Sequence, residues 1–212
     1  MDVKKVAIKI WQPIVKKLND KMEQGCLRRD AYINKILAIE LEMMDQEIMQ
    51  LNSEEAREFI AASLNGIPRQ VVTFSLRVDV IDRLDEICNR KNMVRDAILN
   101  RIFLILILKP EHIERLLGLD AGWQGRIWNK HAGDFGFFPN IYFPLEPDID
   151  PFRVIREGIR LRNEDTDDTS NIYSTIWAEG IFKNVDLTGM NCYLPNHYVK
   201  DSSEYLEFIE GL

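Results

Sequence analysis

The strongest constraint on this chain is a repeat. Arg29-Asp30-Ala31-Tyr32-Ile33-Asn34-Lys35-Ile36-Leu37 returns at an offset of 66 residues as Arg95-Asp96-Ala97-Ile98-Leu99-Asn100-Arg101-Ile102-Phe103, with five identities in nine positions. The same offset, without a gap, carries Val6 onto Val72, Ile8 onto Phe74, Ile10 onto Leu76, Val15 onto Ile81 and Leu18 onto Leu84. Agreement in both pattern and spacing predicts one structural unit built twice.

Each copy opens with strict alternation. Val6, Ile8 and Ile10 point one way and Lys5, Ala7 and Lys9 the other; in the second copy Val72, Phe74 and Leu76 oppose Val71, Thr73 and Ser75. That is the period of a strand. Apolar residues then recur at spacings of three and four: Ile14, Val15, Leu18 and Met22, then Ile81, Leu84 and Cys88. The pattern predicts a helix, with Pro13 in its first turn in copy one and Asp79 as its N-cap in copy two. Breaks follow at Gln24-Gly25-Cys26 and Arg90-Lys91-Asn92, and a second helix carries Ile33, Ile36 and Leu37, or Leu99, Ile102 and Phe103. Ala31 and Ala97 would let helices approach closely. The second helix of copy one is expected to reach about Leu51. Ser53-Glu54-Glu55 then starts a connector helix that Asn65-Gly66-Ile67-Pro68 stops.

A lone strand has no ladder partner, so the unit must pair. Strand, helix and helix, with eight residues from the last inward strand position to the first-helix leucine, resembles the ribbon-helix-helix superfamily of Arc, MetJ and CopG type. The resemblance covers about residues 4–50 and 70–108. It implies a mainly helical N-terminal half in which tandem units form an intramolecular pseudo-dimer; with the mixed α+β region expected from the pattern of the C-terminal residues, the fold class is α+β. The expected domains are 1–109 for DNA binding and 110–212 of unassigned role, with the connector helix at about 53–64.

The resemblance also implies a function: sequence-specific binding of double-stranded DNA, as in a prokaryotic, plasmid or phage transcriptional repressor that inserts a two-stranded ribbon into the major groove. The outward residues Lys5, Ala7, Lys9, Val71, Thr73 and Ser75 would meet base edges. Lysine donates to guanine, the hydroxyls donate or accept, and the apolar side chains meet thymine methyls. At the start of each second helix, Arg28, Arg29 and Arg95 would hold backbone phosphates near unpaired N–H groups. Arg28 and Val94 stand where the family has a Ser or Thr cap, and Asp30 and Asp96 sit in the same turn; pairing with a neighbouring acid is the competing role for Arg29 and Arg95.

A formal net charge of −7 runs against a DNA partner only if charge is spread evenly, and it is segregated. Residues 1–41 hold nine Lys/Arg against five Asp/Glu, and residues 69–109 hold eight against five. Residues 42–68 hold one against six, and residues 110–212 nine against eighteen. The two basic stretches are the two repeat copies.

From Pro110 onward the sequence is acidic and rich in aromatics, which predicts a folded region. Helices are expected near 111–117, 151–162 and 203–209, and short strands near 172–177, 181–187 and 192–199. Catalysis finds no support: His112, His131 and His197 share no metal-ligand spacing, His131 with Asp134 and Cys192 with His197 are isolated pairs, and no glycine loop cradles a phosphate. We therefore expect no enzyme activity, cofactor or metal. Cys26, Cys88 and Cys192 form no CxxC pair and are expected as free buried thiols. The N-terminus lacks the apolar stretch of a signal peptide, and the apolar run from Ile102 to Leu108 is too short to span a bilayer, which predicts a cytoplasmic protein. The rival expectation is an antitoxin-like or other interaction protein, self-associating or binding a partner through its C-terminal half.

Overall fold

The computed structural model describes residues 2–120, 122–130, 150–166, 169–174 and 189–192. It is an α+β fold, mostly helical, with one two-stranded antiparallel sheet among the described residues. Strand β1 (Val3–Trp11) leads into helices α1 (Gln12–Gln24) and α2 (Arg29–Glu47), and α3 (Glu54–Asn65) connects to strand β2 (Arg69–Arg77). Helices α4 (Val78–Arg90) and α5 (Arg95–Ile107) follow, then α6 (Pro110–Leu117), α7 (Trp123–Lys130) and α8 (Arg153–Thr166).

The two strands pair with each other in a register running from Val3 opposite Arg77 to Trp11 opposite Arg69. Ala7 faces Thr73, the pair whose members are also equivalent in the repeat, so the ladder is centred on it. The inward residues Val6, Ile8, Ile10, Val72, Phe74 and Leu76 are all buried, as alternation predicts. They lie in one core with Ile14 and Leu18 of α1, Ile33 and Ile36 of α2, Leu84 of α4, and Ile102 and Phe103 of α5. Phe74 and Phe103 meet at 5.6 Å between ring centroids.

Both helix-to-helix turns use one device at equivalent positions. Cys26 and Asn92 adopt left-handed φ values of 52° and 51°. Beyond them Leu27 N–H donates to Met22 O at 2.9 Å and Met93 N–H to Cys88 O at 2.8 Å, the long closing bond of a Schellman cap. The connector starts as expected, with the Ser53 hydroxyl accepting from Ala56 N–H at 3.0 Å.

Several expectations are corrected. Helix α4 begins at Val78 with Arg77 at the cap, and Asp79 lies in the first turn, where its carboxylate takes the Arg77 guanidinium. Helix α2 stops at Glu47, well short of Leu51, with Ile48 already extended. Cys26 is exposed, while Cys88 and Cys192 are buried; all three are free. Ala97 is buried but Ala31 is exposed. Residues 171–174 form a turn closed by Ser174 N–H to Asn171 O at 3.1 Å, with Cys192 N–H donating to Tyr173 O at 2.9 Å. The expected strand near 181–187, residues 175–177 and 193–199 of the strands near 172–177 and 192–199, the helix near 203–209, His131, Asp134 and His197 lie outside the described residues. Among the described residues no helix is long and apolar enough to cross a membrane.

The described C-terminal pieces share the core of the first half. Phe152, Val154, Ile155, Ile159, Ile172 and Tyr173 belong to the same buried cluster as α2 and α5. Gly158 of α8 admits Trp123 of α7, whose ring lies 2.6 Å from where a β-carbon would stand. Two buried charges anchor the join. Arg101 of α5, 1% exposed, donates to the carbonyls of Ile172 and Ser174 at 2.8 and 3.1 Å. Glu40 of α2, fully buried, is gripped by Arg156 at 2.7 and 3.2 Å and by the Tyr173 hydroxyl.

Candidate nucleic-acid interface

The outward face of the sheet is a ladder of odd-numbered residues. In register they run Val3 opposite Arg77, Lys5 opposite Ser75, Ala7 opposite Thr73 and Lys9 opposite Val71. Lys5, Ala7, Lys9, Val71 and Thr73 are exposed and Ser75 is half-buried, so all six predicted base-contacting residues share one face. Val71 is 62% exposed and Val3 63%, high for valines on a strand and available for contact. Both lysines belong to β1. Their repeat equivalents on β2 are Val71 and Ser75, so the face is symmetric in backbone and asymmetric in charge.

A two-stranded ribbon leaves an open edge on each side, a row of N–H and C=O groups that invites further pairing. Here both edges are sealed by an Asp and an Asn one helical turn apart. On β2, Asp30 accepts from Ser75 N–H at 2.8 Å, while Asn34 donates to Ser75 O at 2.9 Å and accepts from Arg77 N–H at 2.7 Å. On β1, Asp96 accepts from Lys9 N–H at 3.3 Å, while Asn100 donates to Lys9 O at 2.9 Å and accepts from Trp11 N–H at 2.8 Å. Each copy's second helix therefore seals the other copy's strand. These four residues are identities of the repeat, and the identity itself was the signal; their role as edge caps was not apparent without the pairing.

The predicted phosphate contacts separate. Arg29 turns onto the ribbon: it donates to Thr73 O and to Asp30, each at 2.9 Å, and its guanidinium lies 4.4 Å from the centre of the Phe74 ring. Arg95 stands 3.6 Å from Asp85 and 3.8 Å from Asp96. Arg28 remains exposed at the N-cap of α2. Acid pairing, the competing role, thus describes Arg29 and Arg95. Asp30 and Asp96 are committed to strand N–H groups, a use that accounts for acids in a turn otherwise suited to an anion.

The face can offer two ammonium groups, two hydroxyls and small apolar side chains on a rigid, sealed support. Among the described residues no group of three or more His, Cys, Asp and Glu side chains could hold a metal ion. Comparison with protein-family models, with curated proteins and with solved structures found no match to this chain.

Proposed function

We propose that the chain is a sequence-specific double-stranded DNA-binding protein whose two tandem ribbon-helix-helix units form an intramolecular pseudo-dimer. The ribbon enters the major groove, and the role is that of a transcriptional repressor. The observation that carries this reading is the outward ribbon face. Lys5, Ala7, Lys9, Val71, Thr73 and Ser75 lie together on a two-stranded ribbon centred on a repeat-equivalent pair, over a wholly buried inner face. A two-stranded ribbon fits the major groove, where each base pair presents its own donor and acceptor pattern.

In this reading residues 1–109 hold the DNA contacts. The described part of 110–212 joins α2 at Glu40, ten residues or about 15 Å along the helix from Asp30. Phosphate contact falls to Arg28, with Arg29 and Arg95 supporting the ribbon and its neighbouring acids.

Selection of bound duplexes from a random pool tests the proposal directly. One sequence class should be enriched, with affinity falling steeply as salt rises. Ala7→Glu, which puts a carboxylate at the centre of the exposed face, should abolish binding while leaving the melting temperature near that of the parent. Absence of any enriched duplex, or parental binding by folded Ala7→Glu, overturns the proposal.

A further inference from the structure

The end of α2, one side of α8 and the segment 170–172 line a cavity of about 480 Å³, a size that holds small organic ligands. Arg156, Ile159, Arg160, Asn163 and Glu164 recur at spacings of three and four along α8 and so share that side. Two lining residues are apolar and buried: Ile159 is 4% exposed and Ile172 0%. The polar wall is tied together by the chain itself. Asn163 donates to Ser170 O at 2.8 Å, and Asn171 to Glu47 O at 3.0 Å.

Charge around the cavity does not balance. One guanidinium, Arg156, meets three carboxylates: Glu40 at 2.7 Å, Glu47 at 2.5 Å, and Asp150. Among the described residues no other cation lies within ion-pair distance of these three. Burial favours a proton on Glu40, and even then one negative charge is left over. Glu47 alone of the three lines the cavity, with its side chain 20% exposed, so the surplus is presented there. Charge held away from water without a counter-charge is costly, and a cation beside it offsets that cost. The cations nearby are engaged elsewhere. Arg160 is shared between Glu157 and Glu164, and Lys91, which reaches the same end of α2 at Ile48 O, pairs with Asp45 at 3.1 Å.

We propose that this cavity binds a small primary amine with an apolar body, its ammonium on the Glu47 carboxylate and its carbon chain against Ile159 and Ile172. A bare metal ion would leave the apolar surface unused, and among the described residues no group of three or more His, Cys, Asp and Glu side chains could hold one. A carboxylic acid would add negative charge beside a guanidinium that already serves three carboxylates. Glu47 belongs to the first repeat copy, whereas Ile159 and Ile172 belong to the C-terminal pieces. A bound amine therefore bridges the two and stabilises their join by mass action. The site stands apart from the ribbon face and does not rest on the DNA-binding function proposed above.

Butylamine hydrochloride titrated into the full chain at neutral pH provides the test. The methyl resonances of Ile159 and Ile172 should shift along one saturable curve, and the melting temperature should rise. Butyrate, butanol and ammonium chloride at the same concentrations should do neither, since each lacks the ammonium or the apolar body. Glu47→Gln keeps an oxygen for Arg156 but removes the charge, and should weaken amine binding about tenfold or more. Glu164→Lys, a change at an exposed residue that sets a fixed ammonium on the cavity wall, should also weaken it. Absence of a saturable shift at Ile159 and Ile172 overturns the proposal, as does an equal shift with butyrate, butanol or ammonium chloride. Parental affinity in folded Glu47→Gln overturns it too; where that variant does not fold, parental affinity in Glu164→Lys decides against it. None of these readouts involves DNA, so failure of the amine site and failure of DNA binding are separate results.

Discussion

Asn34 and Asn100 stand in the same relation to opposite strands. Asn34 of α2 bridges Ser75 O and Arg77 N–H of β2, and Asn100 of α5 bridges Lys9 O and Trp11 N–H of β1. Their surroundings differ: Asn100 is fully buried, whereas Asn34 is partly open to solvent. Removing Asn100 strands a backbone donor and an acceptor where water cannot replace the side chain, so Asn100→Ala should lower unfolding free energy by about 2–3 kcal/mol. Asn34→Ala, where water can enter, should cost about 1 kcal/mol. Urea titration of the two variants checks the order; equal losses would mean that burial does not set the difference.

The strand–helix–helix order, the inward and outward faces and the ribbon partners were legible because period and offset are properties of the chain alone. What escaped depended on the partner. Asp30 and Asp96 read as first-turn acids and only the antiparallel register reveals them as edge caps. The contacts of Arg29 with the Thr73 carbonyl and the Phe74 ring likewise follow only from the pairing of the strands. Arg101 reads as a charge flanking an apolar run, and its burial depends on residues 71 and 73 positions further along the chain. Helix α7 was not anticipated: its eight residues include Gly125, and Trp123 and Ile127 make only a single helical spacing.

Glu40 should make folding depend on pH. Burial pushes its carboxyl up to about 7 from an ordinary 4.5, against the opposing pull of Arg156 and the Tyr173 hydroxyl; the Asp150 charge adds to the rise. The Arg156 guanidinium loses solvation by burial as well, but Glu40 and Glu47 outweigh that and hold it charged. Because the folded carboxyl binds its proton more tightly than the unfolded one, the group's contribution to stability is full below about pH 4.5 and is lost as pH rises through about 7. The difference in unfolding free energy between the parent and Glu40→Gln should therefore shrink as pH rises, by on the order of 3 kcal/mol across that window. A difference that stays flat from pH 4 to 8 would mean that Glu40 keeps its ordinary acidity. Arg156→Ala leaves the buried carboxyl unpaired and should cost about 3–5 kcal/mol at pH 8, and less at pH 5.

Gly189 of the late segment packs against the backbone of Leu51 and Asn52 in the first half. Its φ is +82°, and a β-carbon there would lie 2.1 Å from Leu51 O. Asn191, two residues on, belongs to the same contact: its N–H donates to the Asn52 side chain at 2.8 Å, and its side-chain amide donates to Gln50 O at 2.9 Å. Gly189→Ala adds both backbone strain and a clash with backbone that cannot rotate away. It should cost about 1–3 kcal/mol and increase proteolysis of the late segment before the ribbon unfolds. Parental stability and protease resistance would show that this contact does not hold the segment.

The ribbon face makes the sharpest prediction, because its two halves are unlike. A homodimer would present the same side chains twice, but here Lys9 stands opposite Val71 on one side of the Ala7–Thr73 centre and Ser75 stands opposite Lys5 on the other. Lys9 and Ser75 are repeat equivalents, so they should address equivalent base pairs on opposite sides of an asymmetric site. Lys9 is exposed and has room to reach a base edge, whereas Ser75 is half-buried, its backbone held by Asp30 and Asn34. Lys9→Ala should lose roughly 1–3 kcal/mol at one preferred base pair, and Ser75→Ala should relax the other with a smaller loss. A lysine that touched only phosphate would weaken every sequence alike and lower the salt slope by about one. Binding of both variants to a set of single-base operator changes separates these outcomes: a uniform loss moves Lys9 to the backbone, and no loss at all removes the ribbon face from the interface.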